Sequence, residues 1–172
     1  MKLSEKFCIV SGGQTGADRA ALDFAIRAEI AHGGWCPQGR LAEDGPLPTI
    51  YQLHETTSRR YDQRTRWNVR DSDATLLLTI APKLRGGTGL TAKVAERLGK
   101  PYLHICLESK DSLDEAVIRL LEFISRHDVS RLNVAGPRAS QEPEIGPFVD
   151  AILSSALLNN ASISTDPTTH RL

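Results

Sequence analysis

Apolar residues are concentrated in short continuous runs, and a longer polar or amphipathic segment separates each run from the next. Four runs have the length and the aliphatic character of strands that are buried on both faces of a parallel sheet. They cover residues 7–10, 74–80, 102–107 and 132–135. The pattern therefore predicts a sheet whose strands are joined by helices.

The segments between these runs carry helix signals. Thr15, with Asp18 three residues later, is predicted to cap one helix, and Ser112 with Glu115 has the pattern of a capping box for another. Pro147 stands where a last helix would begin. The predicted helices cover residues 16–30, 58–73, 91–98, 112–127 and 147–159.

Residues 31–49 are rich in glycine and proline, which predicts a long loop with a short strand near Trp35. A short extended piece is expected at residues 51–54. Unbroken loops of this length are uncommon inside a domain unless they serve a function. We therefore expect the loop to take part in a site.

Strands and helices alternate along the chain, which predicts an α/β fold. The sheet should be mostly parallel, with helices on both faces and right-handed crossovers. A chain of 172 residues suits one domain. We expect residues 1–158 to form that domain and the polar residues 159–172 to be a disordered tail.

The charge balance narrows the range of partners. Lys and Arg together number 21, as do Asp and Glu, so no overall field attracts nucleic acid or an anionic membrane. The N-terminus lacks the apolar run of a signal peptide, and no segment approaches the roughly 20 apolar residues of a membrane span, so the cytoplasm is the expected location. Cys8 and Cys106 are predicted core thiols, whereas Cys36 could line a pocket.

Two glycine-rich turns follow predicted strands and precede helices. The first is SGGQTG at residues 11–16 and the second lies in KLRGGTGLT at residues 83–91, while GPRAS at 136–140 follows the last strand. The carboxyl ends of parallel strands lie at one edge of a sheet, so these loops should line one crevice. Glycine lets the backbone approach a ligand, and a helix start offers free N–H groups to an anion. The turns therefore predict a site for phosphate or another oxyanion.

Neither turn is a specific nucleotide-binding motif. The chain has no GxxxxGK[ST] sequence, and no GxGxxG followed by an acidic ribose ligand. The alternative is that these glycines serve only to make tight turns. Asp18 is more simply interpreted as a helix-capping carboxylate than as a catalytic base, and the histidines lack metal-binding spacing, so no metal site is predicted from protein ligands.

Five segments, in order, resemble the molybdenum carrier proteins, a family that includes the molybdenum cofactor carrier proteins. They are SGGQTGADRAALDFA, GGWCPQGRLAEDG, TRWNVRDSDATLLL, GGTGLT and LNVAGPRAS, within about residues 7–157. The resemblance implies a Rossmann-like domain related to the cytokinin-activating phosphoribohydrolases. It also implies that the molybdenum cofactor, a phosphorylated pterin dithiolene with an oxo-molybdenum group, is held without being turned over.

The related phosphoribohydrolases carry a PGGxGTxxE signature whose acid takes part in cleaving an N-glycosidic bond. This chain reads RGGTGLTAKVAE, with Ala92 and Lys93 where the acid would lie. The departure argues for binding and against hydrolysis.

The first hypothesis is therefore a non-catalytic carrier that stores and protects the molybdenum cofactor, one glycine turn serving each anionic group. The predicted cofactor-binding residues are Gly12, Gly13, Gln14, Thr15, Gly16, Arg40, Lys83, Arg85, Gly86, Gly87, Thr88, Gly89, Thr91, Arg138 and Ser140. The alternative is a hydrolase or sensor of a nucleotide or nucleotide sugar, with Asp18 or Glu96 as the acid. A purely structural subunit would leave the paired turns unexplained. The resemblance also implies a homodimer or homotetramer and a molybdoenzyme that receives the cofactor.

Overall fold

The computed structural model describes residues 6–109 and 111–158. The strands are β1 (Cys8–Val10), β2 (Ala31–Gly33), β3 (Trp35–Cys36), β4 (Leu41–Ala42), β5 (Gly45–Pro46), β6 (His54–Glu55), β7 (Ala74–Thr79), β8 (Tyr102–Cys106) and β9 (Arg131–Ala135). The helices are α1 (Ala17–Arg27), α2 (Tyr61–Arg70), α3 (Gly86–Arg97), α4 (Leu113–Arg126) and α5 (Ile145–Leu157). The predicted tail at 159–172 lies outside the described residues.

Five strands form one parallel sheet in the order β2-β1-β9-β7-β8. The strands can be renumbered so that β7 is the first, β8 the second, β9 the third, β1 the fourth and β2 the fifth. The sheet then reads 2-1-3-4-5, which is a common doubly wound order. In such a sheet the strand order reverses between the first and third strands, which here are β7 and β9.

Helices cover both faces of this sheet. Helix α5 packs between α1 and α4 on one face, and α2 packs against α3 on the other. The side chains of successive β7 residues point to opposite faces of the sheet. Leu76 and Leu78 belong to the larger core cluster, and Leu77 packs with Ala92 and Ala135 on the other face. All three leucines are fully buried, which stabilises the fold by about 1.5–3 kcal/mol for each side chain. The predicted α/β, Rossmann-like fold class is confirmed.

Several predicted boundaries were wrong. Helix α3 begins at Gly86, so the second glycine turn is itself the first turn of the helix, five residues before the predicted start. The short strand predicted near Trp35 is confirmed as β3, but residues 31–49 also contain β2 and a two-stranded hairpin formed by β4 and β5. The capping box of Ser112 and Glu115 is confirmed. Thr15 does not cap α1, whose N-cap is Gly16 without a side-chain hydrogen bond.

Candidate functional site

A cavity of about 370 Å³ opens at the carboxyl ends of β7 and β9, where the strand order reverses. Ligands of doubly wound sheets bind in the crevice at this point. Its wall includes Gly87 and Thr88 from α3, Gly136 and Arg138 from the loop after β9, and Gln14 from the turn after β1. All three predicted loops therefore contribute to this space, which we name the first cavity.

A second cavity of about 380 Å³ shares the lining residues Thr88 and Gln141 with the first. Its wall also carries Lys83, Arg85 and Glu142. The shared residues make the two cavities neighbouring parts of one cleft. The cleft thus has basic side chains at both ends, with the start of α3 between them.

The second glycine turn is open toward the cleft. A Cβ atom added at Gly86 or Gly87 would meet no heavy atom of the described residues within 4 Å, apart from the adjacent residues and the backbone of α3 itself. Gly86 has φ of 48°, which favours glycine, and both residues line the first cavity. The first N–H groups of a helix have no acceptor within it, and the first turn of α3 contains no acidic side chain. This helix start therefore presents free donors and positive potential to the cleft.

The first glycine turn is filled by protein groups instead. A Cβ atom on Gly12 would lie 1.7 Å from Nη1 of Arg64, and one on Gly13 would lie 2.8 Å from Leu53. At Gly16, where φ is 80°, a Cβ atom would lie 2.4 Å from the carbonyl oxygen of Pro137. The need for glycine is thus explained by packing. We revise the expectation that this turn cradles a ligand with its backbone.

The carboxylate of Glu43 lies at the start of α1. Glu43 is at the tip of the β4–β5 hairpin and accepts hydrogen bonds from the Thr15 hydroxyl and, at 2.7 Å, from the Ser140 hydroxyl. The N–H of Ser140 also donates to it at 3.4 Å. The bonds from Thr15 and Ser140 lower the pKa of Glu43 below its usual value. Two predicted ligand-binding hydroxyls are therefore bonded to a side chain of the protein.

Arg64 is a site residue that sequence reasoning missed. It lies on α2 and reaches across to α1, where its Nη1 donates to Oδ2 of Asp18 at 2.6 Å. The side chains are 13% and 3% exposed, and both residues line the first cavity. No pattern in the sequence distinguishes Arg64 from the other arginines of its segment. Asp18 is thus the partner of a buried guanidinium.

Two donor atoms of residues that line the first cavity are buried and have no hydrogen-bond partner among residues 6–109 and 111–158. They are Nε of Arg64 and Nε2 of Gln14. Gln14 is only 3% exposed, and its other amide atom, Oε1, accepts the N–H groups of Thr15 and Glu43. A buried donor without an acceptor costs about 1–3 kcal/mol. These atoms are therefore suited to a ligand that brings acceptor oxygens.

The chain matches the family described as "Circularly permutated YpsA SLOG family" over residues 9–157. It belongs to this family. The permuted order agrees with the strand count that starts at β7 and passes from β9 to β1. None of the curated proteins compared with the chain matches it.

A solved structure also resembles the chain. It is a crystal structure from Syntrophus aciditrophicus SB named "Putative molybdenum carrier protein", with 47% sequence identity and a TM-score of 0.85. The match covers 87% of this chain and 94% of that one. The resemblance to the molybdenum carrier proteins is confirmed by this neighbour.

The other predicted site residues lie in the second cavity, in the first cavity or outside both. Lys83 and Arg85 line the second cavity, and Arg138 lines the first with its guanidinium 4.7 Å from the ring centre of Tyr61. Thr91 lines the first cavity, but its hydroxyl donates to a carbonyl within α3. Gly89 does not line either cavity, and a Cβ atom there would lie 3.3 Å from a backbone oxygen of the preceding loop.

Arg40 has a structural role. Its guanidinium donates to four main-chain carbonyls, those of Leu47, Pro48, Tyr51 and Leu53. These bonds tie together the chain that carries the β4–β5 hairpin. The predicted role of Arg40 in neutralising a ligand is replaced by this one, because its donors are used within the protein and it lines neither cavity.

Cys36 is fully buried and packs with Leu22, Leu47, Tyr51 and Leu53. Burial raises the pKa of its thiol. The suggestion that Cys36 lines a pocket is therefore corrected, because the cysteine lies in a core cluster of apolar side chains. Cys8 and Cys106 are buried as predicted.

The carboxylates proposed for a hydrolase are poorly placed. Glu96 is near the far end of α3, outside both cavities, and accepts a hydrogen bond from Tyr102. Of the two residues at the place of the signature acid, Ala92 is buried in the core beneath α3, and Lys93 is exposed and lines neither cavity. Glu142 does line the second cavity, where its carboxylate accepts the N–H of Ile80 at 2.6 Å. The cleft thus has more donors than free carboxylates.

At residues 6–109 and 111–158, no three His, Cys, Asp or Glu side chains are grouped to hold a metal ion. None of the helices described there has the length and apolar character needed to cross a bilayer.

Proposed function

We propose that the cleft binds and protects the molybdenum cofactor, without turning it over. The observation that carries this proposal is the pair of buried, unpartnered donors on Gln14 and Arg64 beside the open start of α3. The known neighbour's name and the five-motif resemblance point to the same class of ligand. The donors fit a group with several acceptor oxygens, which both ends of the cofactor have.

The two cavities suggest how the anionic groups are divided. In the first cavity, Arg64, Arg138 and the N–H groups of Gly86 and Gly87 would bind one anionic group. In the second, Lys83 and Arg85 would neutralise the other. We thus assign one anionic group to each cavity, with the start of α3 between them. This assignment replaces the hypothesis that each glycine turn binds one group.

The molybdenum cofactor would supply its own dithiolene sulfur ligands to the metal, so the protein needs only to bind and shield it. The pair of Arg64 and Asp18 keeps the guanidinium in place before a ligand arrives. A donor that is already oriented loses little conformational freedom on binding. Such a preorganised donor set favours retention of a labile ligand. Self-association and transfer to a molybdoenzyme remain parts of this proposal.

The experiment is a protection assay. Free cofactor is incubated with the protein, and at intervals the remaining cofactor is measured by its ability to activate a cofactor-free molybdoenzyme. We expect the protein in excess to slow the loss of activity several-fold, and Gly87→Asp to lose most of this effect. If excess protein leaves the decay rate unchanged, the carrier function is wrong. Metal and pterin analysis of the protein as purified gives an independent readout.

A further inference from the structure

Glu43 is held by donors of the first glycine turn and of the loop after β9. Its two carboxylate oxygens accept from the hydroxyls of Thr15 and Ser140 and from the N–H of Ser140. Arg138, which lines the first cavity, has its Nη1 3.9 Å from the same carboxylate. These donors are of the kind that proteins use to hold phosphate.

The hairpin that carries Glu43 is fixed at both its tip and its base. Next to Glu43 at the tip, Asp44 forms two hydrogen bonds with Arg19, at 3.0 and 3.1 Å. At the base, the N–H of Leu47 donates to the carbonyl oxygen of Arg40 at 2.7 Å. The guanidinium of Arg40 in turn donates to the carbonyl oxygen of Leu47. The carboxylate of Glu43 is therefore held in place and competes with any anion that approaches these donors.

The carboxylate of Glu43 lies next to the site proposed above, although Glu43 itself is exposed and lines neither cavity. Gln14 connects the two, because its Oε1 accepts the N–H of Glu43 while its Nε2 is buried, unpartnered and at the wall of the first cavity. An anionic group bound by Gln14, Arg64 and Arg138 would therefore have the charge of Glu43 as its neighbour. A second phosphate attached to the first on this side would meet a carboxylate rather than free donors.

We infer that Glu43 is a specificity-determining residue, which limits the α1 side of the cleft to one phosphate-like group and disfavours a diphosphate. This inference rests on the proposed oxyanion-binding function of the cleft. The preferred ligand class is thus a phosphomonoester, because a diphosphate would meet like-charge repulsion from Glu43 and donors that are already occupied. Removal of the carboxylate frees the Thr15 and Ser140 donors for a second phosphate.

The test uses inorganic phosphate and pyrophosphate as probes, with each affinity measured by calorimetry at fixed ionic strength. A basic cleft attracts pyrophosphate, the more highly charged probe, in every variant. The readout is therefore the ratio of the pyrophosphate affinity to the phosphate affinity, compared between variants. In Glu43→Ala we expect this ratio to change at least about tenfold in favour of pyrophosphate. Phosphate affinity should change less than about threefold.

Two further variants complete the design. Asp44→Ala removes the same charge from the same hairpin tip but leaves the Glu43 donors occupied, so its ratio should match that of the unchanged protein. Glu43→Gln removes the charge with little change in size, which secures the test if the alanine variant is unstable. Its ratio should move in the same direction by a smaller factor.

The outcomes separate the two proposals. If the unchanged protein binds phosphate but the ratio is the same in both Glu43 variants, Glu43 does not determine specificity, while the oxyanion site stands. An equal shift in Asp44→Ala would also overturn the inference, because any loosening of the hairpin would then suffice. If the unchanged protein binds neither probe, the oxyanion site itself is wrong and the inference fails with it.

Discussion

Arg64 of α2 donates to Asp18 in the first turn of α1, with 2.6 Å between Nη1 and Oδ2. The carboxylate is 3% exposed, so it depends on the guanidinium for its charge compensation. The guanidinium also fills the space that a side chain at position 12 would need. One contact therefore links the packing of the first glycine turn with the electrostatics of the cleft.

Replacement of this arginine should be strongly destabilising. Arg64→Met leaves the buried Asp18 carboxylate without a partner, which costs about 3–5 kcal/mol in such sites. The double variant Arg64→Met with Asp18→Asn should recover most of that free energy of unfolding, measured with urea. Phosphate binding should remain weak in the double variant because a cavity donor is absent. If the single variant is as stable as the unchanged protein, the pair does not have this role.

A carboxylate at Gly87 should abolish anion binding without unfolding the protein. Among the described residues, a Cβ atom at this position would face open space outside its own helix, and φ is not positive, so a side chain is accommodated without strain. Gly87→Asp places negative charge at the start of α3, while Gly87→Asn has the same size without the charge. We expect the aspartate variant to bind phosphate at least about tenfold more weakly than the asparagine variant. Equal binding by the two would remove Gly87 from the site.

Gly136, unlike Gly87, is required by close packing. A Cβ atom there would lie 2.3 Å from the Leu78 carbonyl oxygen and 2.6 Å from Cβ of Ala17. Because the first of these atoms belongs to the backbone of β7, relief requires movement of the sheet. Gly136→Ala should therefore lower the free energy of unfolding by about 3 kcal/mol or prevent folding. Gly87→Ala should change it by less than about 0.5 kcal/mol, and similar melting temperatures for both would contradict this contrast.

The parts of the fold that the sequence predicted well are those set by local signals. The apolar run at 74–80 became β7, and the capping box of Ser112 and Glu115 formed as expected. Strand β2 was missed because its residues, Ala-His-Gly, lack an apolar pattern and pair with β1 only in the folded sheet.

The site was harder to predict because its main contacts join distant parts of the chain. Asp18 and Arg64 are 46 residues apart, and Glu43 and Ser140 are 97 apart. Spacing rules for helices and turns do not reach such distances. The glycine pairs looked alike in sequence, but protein atoms surround Gly12 while Gly87 faces open space.

The protein should not release bases from nucleoside monophosphates. Glu96 lies outside the cleft, and Asp18 is held by Arg64, so neither is free to act as a general acid. We expect the rate at which free base is released from an excess of nucleoside monophosphate to be the same with and without the protein, as measured by chromatography. Multiple-turnover release that Asp18→Asn or Glu142→Gln abolishes would instead establish a hydrolase.

Acid should weaken the contact between the hairpin and the start of α1. The pKa of Glu43 is lowered in the folded state by its bonds from Thr15 and Ser140, so the ionised carboxylate stabilises the fold. For a carboxyl with a lowered pKa, this stabilisation is fully present above the unfolded-state pKa of about 4.3 and is lost as the pH falls toward the folded-state value.

The measurement is the free energy of unfolding of the unchanged protein and of Glu43→Gln between pH 7 and pH 3. Subtraction of the two curves removes the contribution of Asp44, whose pKa is also lowered, and of other carboxylates away from the hairpin. We expect the difference to be constant from pH 7 to about 5.5 and then to shrink as the pH falls below about 4.5. A glutamine cannot lose charge, so its own bonds do not titrate. A difference that stays the same down to pH 3 would mean that Glu43 is not held more tightly as the carboxylate than as the acid.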